Sequence, residues 1–263
     1  MTPALPPDWI HGAAFLFPSA RVGGVSHTDA ARNHFRVERL PRRARVLDGS
    51  DVVSEVIDHP GATDTLFDVL AACIAALSPG PRVAMLGFAA GGVVAPLRAT
   101  GFDAPLRAVD LSLDNVALFR ELSQAWCGDV RVDCADAVSW LRASRRRFDC
   151  ILEDLAISSP RDAVKPAVSL HTLPELVARR VRRHGIVVNN MLPVPGRAWN
   201  AVLQRIAAPF DRACVLHMDD YVNRILVTGA LPDTREVARR VRDALASIGS
   251  TQTQRFSVRT LPR

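Results

Sequence analysis

One glycine-bearing turn and three aspartates carry the chemistry this sequence can do. In RVAMLGFAAGGVVAPL, residues 82–97, an apolar run stops at Gly87, and Gly91 and Gly92 follow after three residues. Glycine at such a place lets the chain turn sharply and lets backbone approach a ligand. Three uses compete: a phosphate cradle for a dinucleotide, a pocket for an adenosyl group, or a plain turn between a buried strand and a helix. The dinucleotide spacing GxGxxG needs glycine at 89, where the chain has Ala89, so that fingerprint is broken. Asp110, Asp136 and Asp154 each close an apolar, strand-like run. A carboxylate at the place of Asp110 can accept hydrogen bonds from both ribose hydroxyls, or it can cap a helix or take a salt bridge. Asp136, within CADAVSWL, can accept from an adenine amino group or cap the helix that follows. Period-two alternation points Glu153 and Asp154 to opposite faces, and we assign Asp154 to the pocket.

These residues need elements to hold them. RARVLDGSDVVSEVID, residues 43–58, reads as a β-hairpin around Asp48-Gly49. Residues 1–40 are rich in Pro, Gly, His and Arg and read as loop with short extended pieces. Apolar residues at 66, 67, 69, 70, 73, 74 and 77 have helical spacing, and Ser78-Pro79-Gly80 ends the run. From residue 82 strands and helices alternate. The strands are RVAMLGF, LRAVDLS, VRVDCAD, FDCILEDL and GIVVNNML, and LHTLPELVARRVRRHG before the last of them reads as mostly helical. RACVLHM and NRILVTG close the core as two strands, and PDTREVARRVRDALASIG is a final helix with an Asp233/Glu236 capping box and Gly249 as its stop. Alternation implies a mostly parallel sheet with helices on both faces. The short link between the last two strands forces that pair to be antiparallel. The expected fold is therefore α/β: a Rossmann-like, seven-stranded methyltransferase sheet with an antiparallel last strand, preceded by a small N-terminal β-hairpin unit. The expected division is residues 1–62 and 63–263.

Composition bounds the function. The chain has 263 residues, 48% of them hydrophobic, enough for a sizeable core, and no apolar run approaches a membrane span. The N-terminus lacks a basic region ahead of its short apolar patch, so no signal peptide is expected and the protein reads as cytoplasmic. Cys73, Cys127, Cys134, Cys150 and Cys214 form no CxxC pair, which argues against a disulfide framework or a zinc site. Net charge is +6, yet Lys165 is the sole lysine and 32 of the 33 basic residues are arginine. The clusters SRRRF and ARRVRRHG fall where helices end before strands, and cations there complement the helix dipole. A nucleic-acid partner is accordingly disfavoured, and no membrane partner is expected.

The order and spacing of the hairpin, VAMLGFAAGGVVAPL, AVDLSLDNVALFRELS, CADAVSWL and FDCILEDLAIS resemble the spermidine synthase family over roughly residues 43–230. Gly87, Gly91 and Gly92 match its GGGDGG motif, with Ala90 in place of the aspartate. Asp110 falls at its ribose-binding acid, Asp136 in its adenine motif, and Asp154 at the first aspartate of its DSSD-type motif, whose second aspartate is here Ile157. The resemblance implies an adenosyl cofactor held by Gly87, Phe88, Gly91, Asp110, Leu111, Asp136 and Ala137, with Asp154 as the catalytic group; it also implies a homodimer. The departures fall on the amine side. A polyamine acceptor needs carboxylates to hold it and deprotonate it, and an isoleucine and an alanine cannot pair with an ammonium.

The resulting expectation is a transferase using S-adenosylmethionine to methylate a small-molecule acceptor, with Asn189, Asn190 and His171 as candidates for the acceptor side and Tyr221 as a packing residue. Aminopropyl transfer to a different amine would need substitute carboxylates, for which Asp58 and Asp64 are the convenient positions. A non-catalytic relative is the third reading, supported by the absence of an acid in the glycine turn.

Overall fold

The computed structural model describes residues 35–49, 51–157 and 163–262; the expectation for the first 34 residues lies outside this range. The described chain opens with three antiparallel strands, β1 (Phe35–Leu40), β2 (Arg43–Asp48) and β3 (Asp51–Ile57). The predicted hairpin is β2–β3, turning at Gly49 with φ 59°. β1, expected only as short extended pieces, adds a third strand at its edge. Alternation decides the buried face: Ala44, Val46, Ser54 and Val56 pair across the hairpin and are all buried.

The main sheet has eight strands: β4 (Val83–Leu86), β5 (Leu106–Asp110), β6 (Val130–Cys134), β7 (Phe148–Glu153), β8 (Val181–Met191), β9 (Ala213–Met218), β10 (Arg224–Gly229) and β11 (Phe256–Thr260). Their order is β11-β9-β10-β8-β7-β4-β5-β6. β4 to β8 are mutually parallel, and β10 runs antiparallel between β8 and β9, as the short link requires. β11 is an eighth strand beyond the seven expected. FSVRT is short, but Phe256 is buried, and the segment finds the open edge of β9.

The connecting helices are α1 (Leu66–Leu77), α2 (Val94–Ala99), α3 (Val116–Ser123), α4 (Ala137–Ala143), α5 (Ala167–His171), α6 (Leu173–Arg180), α7 (Trp199–Ala207) and α8 (Thr234–Ser247). β4 shows how the two layers form. Val83 and Met85 join the core under α1, α2, α3 and α8, while Ala84 and Leu86 join the core under α4 and α6. The helix expected through ARRVRRHG stops at Arg180. Val181 is buried opposite Phe148 and Arg182 reaches Asp149, so sheet pairing takes residues 181–184 from the helix. At α8, Asp233 caps the N–H of Glu236 as predicted. The Glu236 carboxylate turns instead to Arg239 and Arg240, so half of the capping box forms.

One long-range tie closes the unit. Asp68, buried in the first turn of α1, accepts from Thr63 N–H and Oγ1, Asp64 N–H, and the hydroxyl of Ser250, which follows α8. Thr251 N–H and the Gln252 amide bind Asp64 beside it. Burial still pushes the Asp68 carboxyl above its ordinary range, against the pull of these donors.

Candidate functional site

The chain runs from β4 outward to β5 and β6, then returns to the other side of β4 for β7, so the order reverses between β4 and β7. Crevices at such reversals, at the carboxyl ends of the strands, are where open α/β sheets hold ligands. The glycine turn sits there. Gly87 has φ 88°, and a Cβ on it would lie 2.4 Å from the carbonyl oxygen of Asp154, so turn and strand end touch. Gly91 has φ 71°, and a Cβ there would meet the rings of Phe88 and Phe119 at 2.7 and 2.8 Å. Those rings stack edge to face at 5.1 Å. Phe88 therefore turns its side chain inward and leaves its backbone at the mouth. Ala89 takes φ 48°, unusual for a residue with a side chain. Gly92 N–H donates to Ser54 Oγ at 3.1 Å, fastening the turn to β3.

Asp110 clamps this turn. Its Oδ2 accepts from Phe88 N–H at 2.7 Å and Ala89 N–H at 2.9 Å, and its Oδ1 from Ser112 N–H at 3.1 Å. A carboxylate offers about four acceptor positions; these three bonds leave Oδ1 the freer oxygen. Leu111, next to it, is 68% exposed. Asp110 pairs with Cys134 across β5 and β6, which brings Asp136 and Ala137 alongside. Asp136 caps α4 through Oδ1 and Ser139 N–H at 2.8 Å, and Ala137 is buried as the first residue of that helix.

The end of β7 is built from side chains. Glu153 is buried, and its Oε2 meets Lys165 Nζ at 2.7 Å. Its Oε1 accepts from Ser169 Oγ at 2.8 Å and Leu155 N–H at 3.3 Å. Lys165 Nζ also donates to the Asn190 carbonyl at 2.6 Å, and its side chain has 0% exposure. Asp154, partly exposed, accepts from Asn190 Nδ2 at 2.7 Å, and Asn190 Oδ1 accepts from Asn223 Nδ2 at 2.9 Å. The residue after β7, the end of β8 and the residue before β10 thus supply one polar chain, Asp154–Asn190–Asn223. Burial pushes the Asp154 carboxyl upward, opposed by the charge of Lys165 and the Asn190 bond.

Other candidates fall elsewhere. Asn189 is buried and donates to the Leu226 carbonyl. His171 lies at the end of α5 against Arg205 at 2.7 Å. Tyr221 packs on the core. Asp58 is held by Arg42 and His59, and Asp64 by Thr251. Sequence reasoning missed Lys165, Ser169 and Asn223. The signal was present for one of them: a single lysine among 33 basic residues. A cavity of about 860 Å³ opens at the opposite, amino end of the sheet, lined by Phe210, Arg212, Leu231 and Leu261 among others, and it contains none of these residues. No helix among the described residues is long and apolar enough to cross a membrane.

No family model and no curated protein matches the chain. Among solved structures it is similar to human methyltransferase-like protein 13 in complex with SAH, at 18% identity over 70% of this chain and 90% of that one, with a TM-score of 0.54. It is similar to spermidine synthase from Thermotoga maritima at 13% identity, covering 84% and 80%, TM-score 0.55. It is also similar to the SAM-dependent methyltransferase from Agrobacterium tumefaciens, at 12% identity, 76% and 72%, TM-score 0.51. At such identities the shared property is the fold, and the chain has the class I S-adenosylmethionine methyltransferase-like fold.

Proposed function

We propose that this chain is a methyltransferase that uses S-adenosylmethionine on a small-molecule acceptor. One observation carries the reading. A glycine turn at the reversal of strand order is held by Asp110 and abuts Asp154, and Asp136 follows the neighbouring parallel strand. The solved relatives that share the fold include methyltransferases, one of them in complex with SAH.

The residues fit the adenosyl part of such a ligand. Asp110 Oδ1 is the oxygen with room for a ribose hydroxyl, and Leu111 supplies an exposed apolar side chain beside it. Asp136 stands one strand further, where its carboxylate can meet an adenine amino group while it caps α4. Gly87, Phe88 and Gly91 offer backbone rather than side chain, and Ala137 keeps that wall small. When bound, the cofactor would supply an electrophilic methyl group on a sulfonium, leaving a thioether, to an acceptor that must give up a proton. Asp154 would take that proton. Its raised pKa makes it a stronger base than an exposed aspartate. Asn190 holds it in orientation. We retain the division at residues 62 and 63 as the boundary between the hairpin unit and the cofactor domain.

Aminopropyl transfer is weaker on this geometry, because Asp58 and Asp64, the convenient replacement carboxylates, are engaged by Arg42, His59 and Thr251. Calorimetric titration with S-adenosylmethionine and its decarboxylated form separates the readings. We expect tighter binding of the intact cofactor. Preference for the decarboxylated form would move the assignment to aminopropyl transfer, and binding of neither would leave a non-catalytic relative.

A further inference from the structure

The charges at the end of β7 bear on what the acceptor can be. Two adjacent acids end β7: Asp154, partly exposed, and Glu153, buried on the other face. One of them is already answered from within the chain. Lys165 Nζ lies 2.7 Å from Glu153 Oε2, and the remaining Glu153 oxygen is taken by Ser169 and Leu155. The same ammonium donates to the Asn190 carbonyl, so it stands beside the residue whose amide holds Asp154. Its delivery is specific. Ile157 and Val164 exchange two backbone hydrogen bonds of 3.0 Å, and Lys165 follows directly from that bridge. Arginine, used at every other basic position outside histidine, carries five donors on a broad plane. This enclosed place offers a cation two acceptors, Glu153 Oε2 and the Asn190 carbonyl, which suits a compact ammonium.

We propose that Lys165 is a tethered counter-cation that takes the place of an acceptor's ammonium, and that the acceptor is an uncharged molecule donating a hydroxyl proton to Asp154. Lys165 offsets part of the negative charge at the end of β7, so a cationic amine at Asp154 gains less than it would beside two unpaired acids, and an anion would meet Asp154 and Asp110. An uncharged hydroxyl compound meets neither cost. Exposed apolar side chains adjoin these residues in sequence: Ile157, 50% exposed, follows Asp154 by three positions, and Val222, 66% exposed, precedes Asn223. The proposal rests on the methyltransferase reading of the same site, and the test separates the two.

The probes are 1,4-butanediol, 1,4-diaminobutane, n-butanol and n-butylamine, titrated into nitrogen-15-labelled full-length protein with and without SAH. The readout is the side-chain amide signals of Asn190 and Asn223. In the wild type the diol is expected to shift these signals at lower concentration than the diamine. Lys165→Ala should gain at least about tenfold in n-butylamine affinity, because Glu153 is then unpaired and the space of the lysine side chain is vacated. The double variant Glu153→Gln/Lys165→Ala should lose that gain. If Lys165→Ala does not fold alone, refolding promoted by n-butylamine and not by n-butanol reads the same vacancy. Tighter diamine than diol binding in the wild type overturns the proposal. So does the absence of both amine gain and amine rescue in the variant. Failure of SAH to bind, whatever the diol and diamine do, counts against the cofactor reading instead.

Discussion

Two halves of the strand-end site hold their carboxylates by different means. On the side of β5 and β6, backbone does the holding: Asp110 takes three N–H groups and Asp136 takes one. On the side of β7 and β8, side chains do it: Lys165 and Ser169 answer Glu153, and Asn190 answers Asp154. Backbone donors are present whatever the residue type, so the first half depends on turn geometry and tolerates Phe88, Ala89 and Ala90 in its loop. Side-chain donors exist only if particular residues are there. The second half therefore depends on the identity of its residues.

Substitutions can break that contrast. The largest expected effect is at Lys165. Lys165→Met leaves Glu153 buried without its cation and should cost about 3–5 kcal/mol of stability, with part recovered in the double variant with Glu153→Gln, both read by urea unfolding. A recovery of zero would mean that the pair is not coupled. Gly87→Ala should cost about 3 kcal/mol, since a Cβ at φ 88° strains the backbone and strikes the Asp154 carbonyl. Because Gly87 touches both halves, its melting temperature should fall together with cofactor affinity. Asp110→Ala should weaken S-adenosylmethionine binding by about 1–3 kcal/mol in calorimetry, and unchanged affinity in a folded variant would remove Asp110 from the site. The smallest effect sharpens the comparison through pH. Asp154 is held above the ordinary carboxylate value, so the folded state binds its proton more tightly than the unfolded chain does. Its contribution is fully present below the unfolded value of about 3.9 and is lost as pH rises through the folded one. The wild type should lose stability relative to Asp154→Asn over that rise, and parallel profiles for the two proteins would contradict the burial of this carboxyl.

The same contrast explains what could be read from the residues. Local signals placed the alternating elements, the antiparallel β9–β10 pair and the Asp233 cap, because apolar period, link length and a capping residue act over a few positions. The extended start of β8 was hidden, since Val181 is drawn into the sheet by Phe148, 33 positions earlier in the sequence. β11 was hidden because only the vacant edge of β9 makes five residues worth pairing. Asp110, Asp136 and Asp154 were legible as acids at strand ends. That Glu153 and Lys165 form a buried pair was not, because residue spacing does not say which loop returns a side chain to the end of a strand.

The tie between Asp68 and Ser250 has a consequence in time. The two residues are 182 positions apart, so a growing chain presents the carboxylate about 10 to 35 seconds before its last hydroxyl donor, at ordinary rates of synthesis. Until then an α1 already formed would carry an acid one hydrogen bond short. Closure of this tie thus waits for the segment that follows α8, and a ribosome stalled before residue 250 would present the acid without its hydroxyl partner.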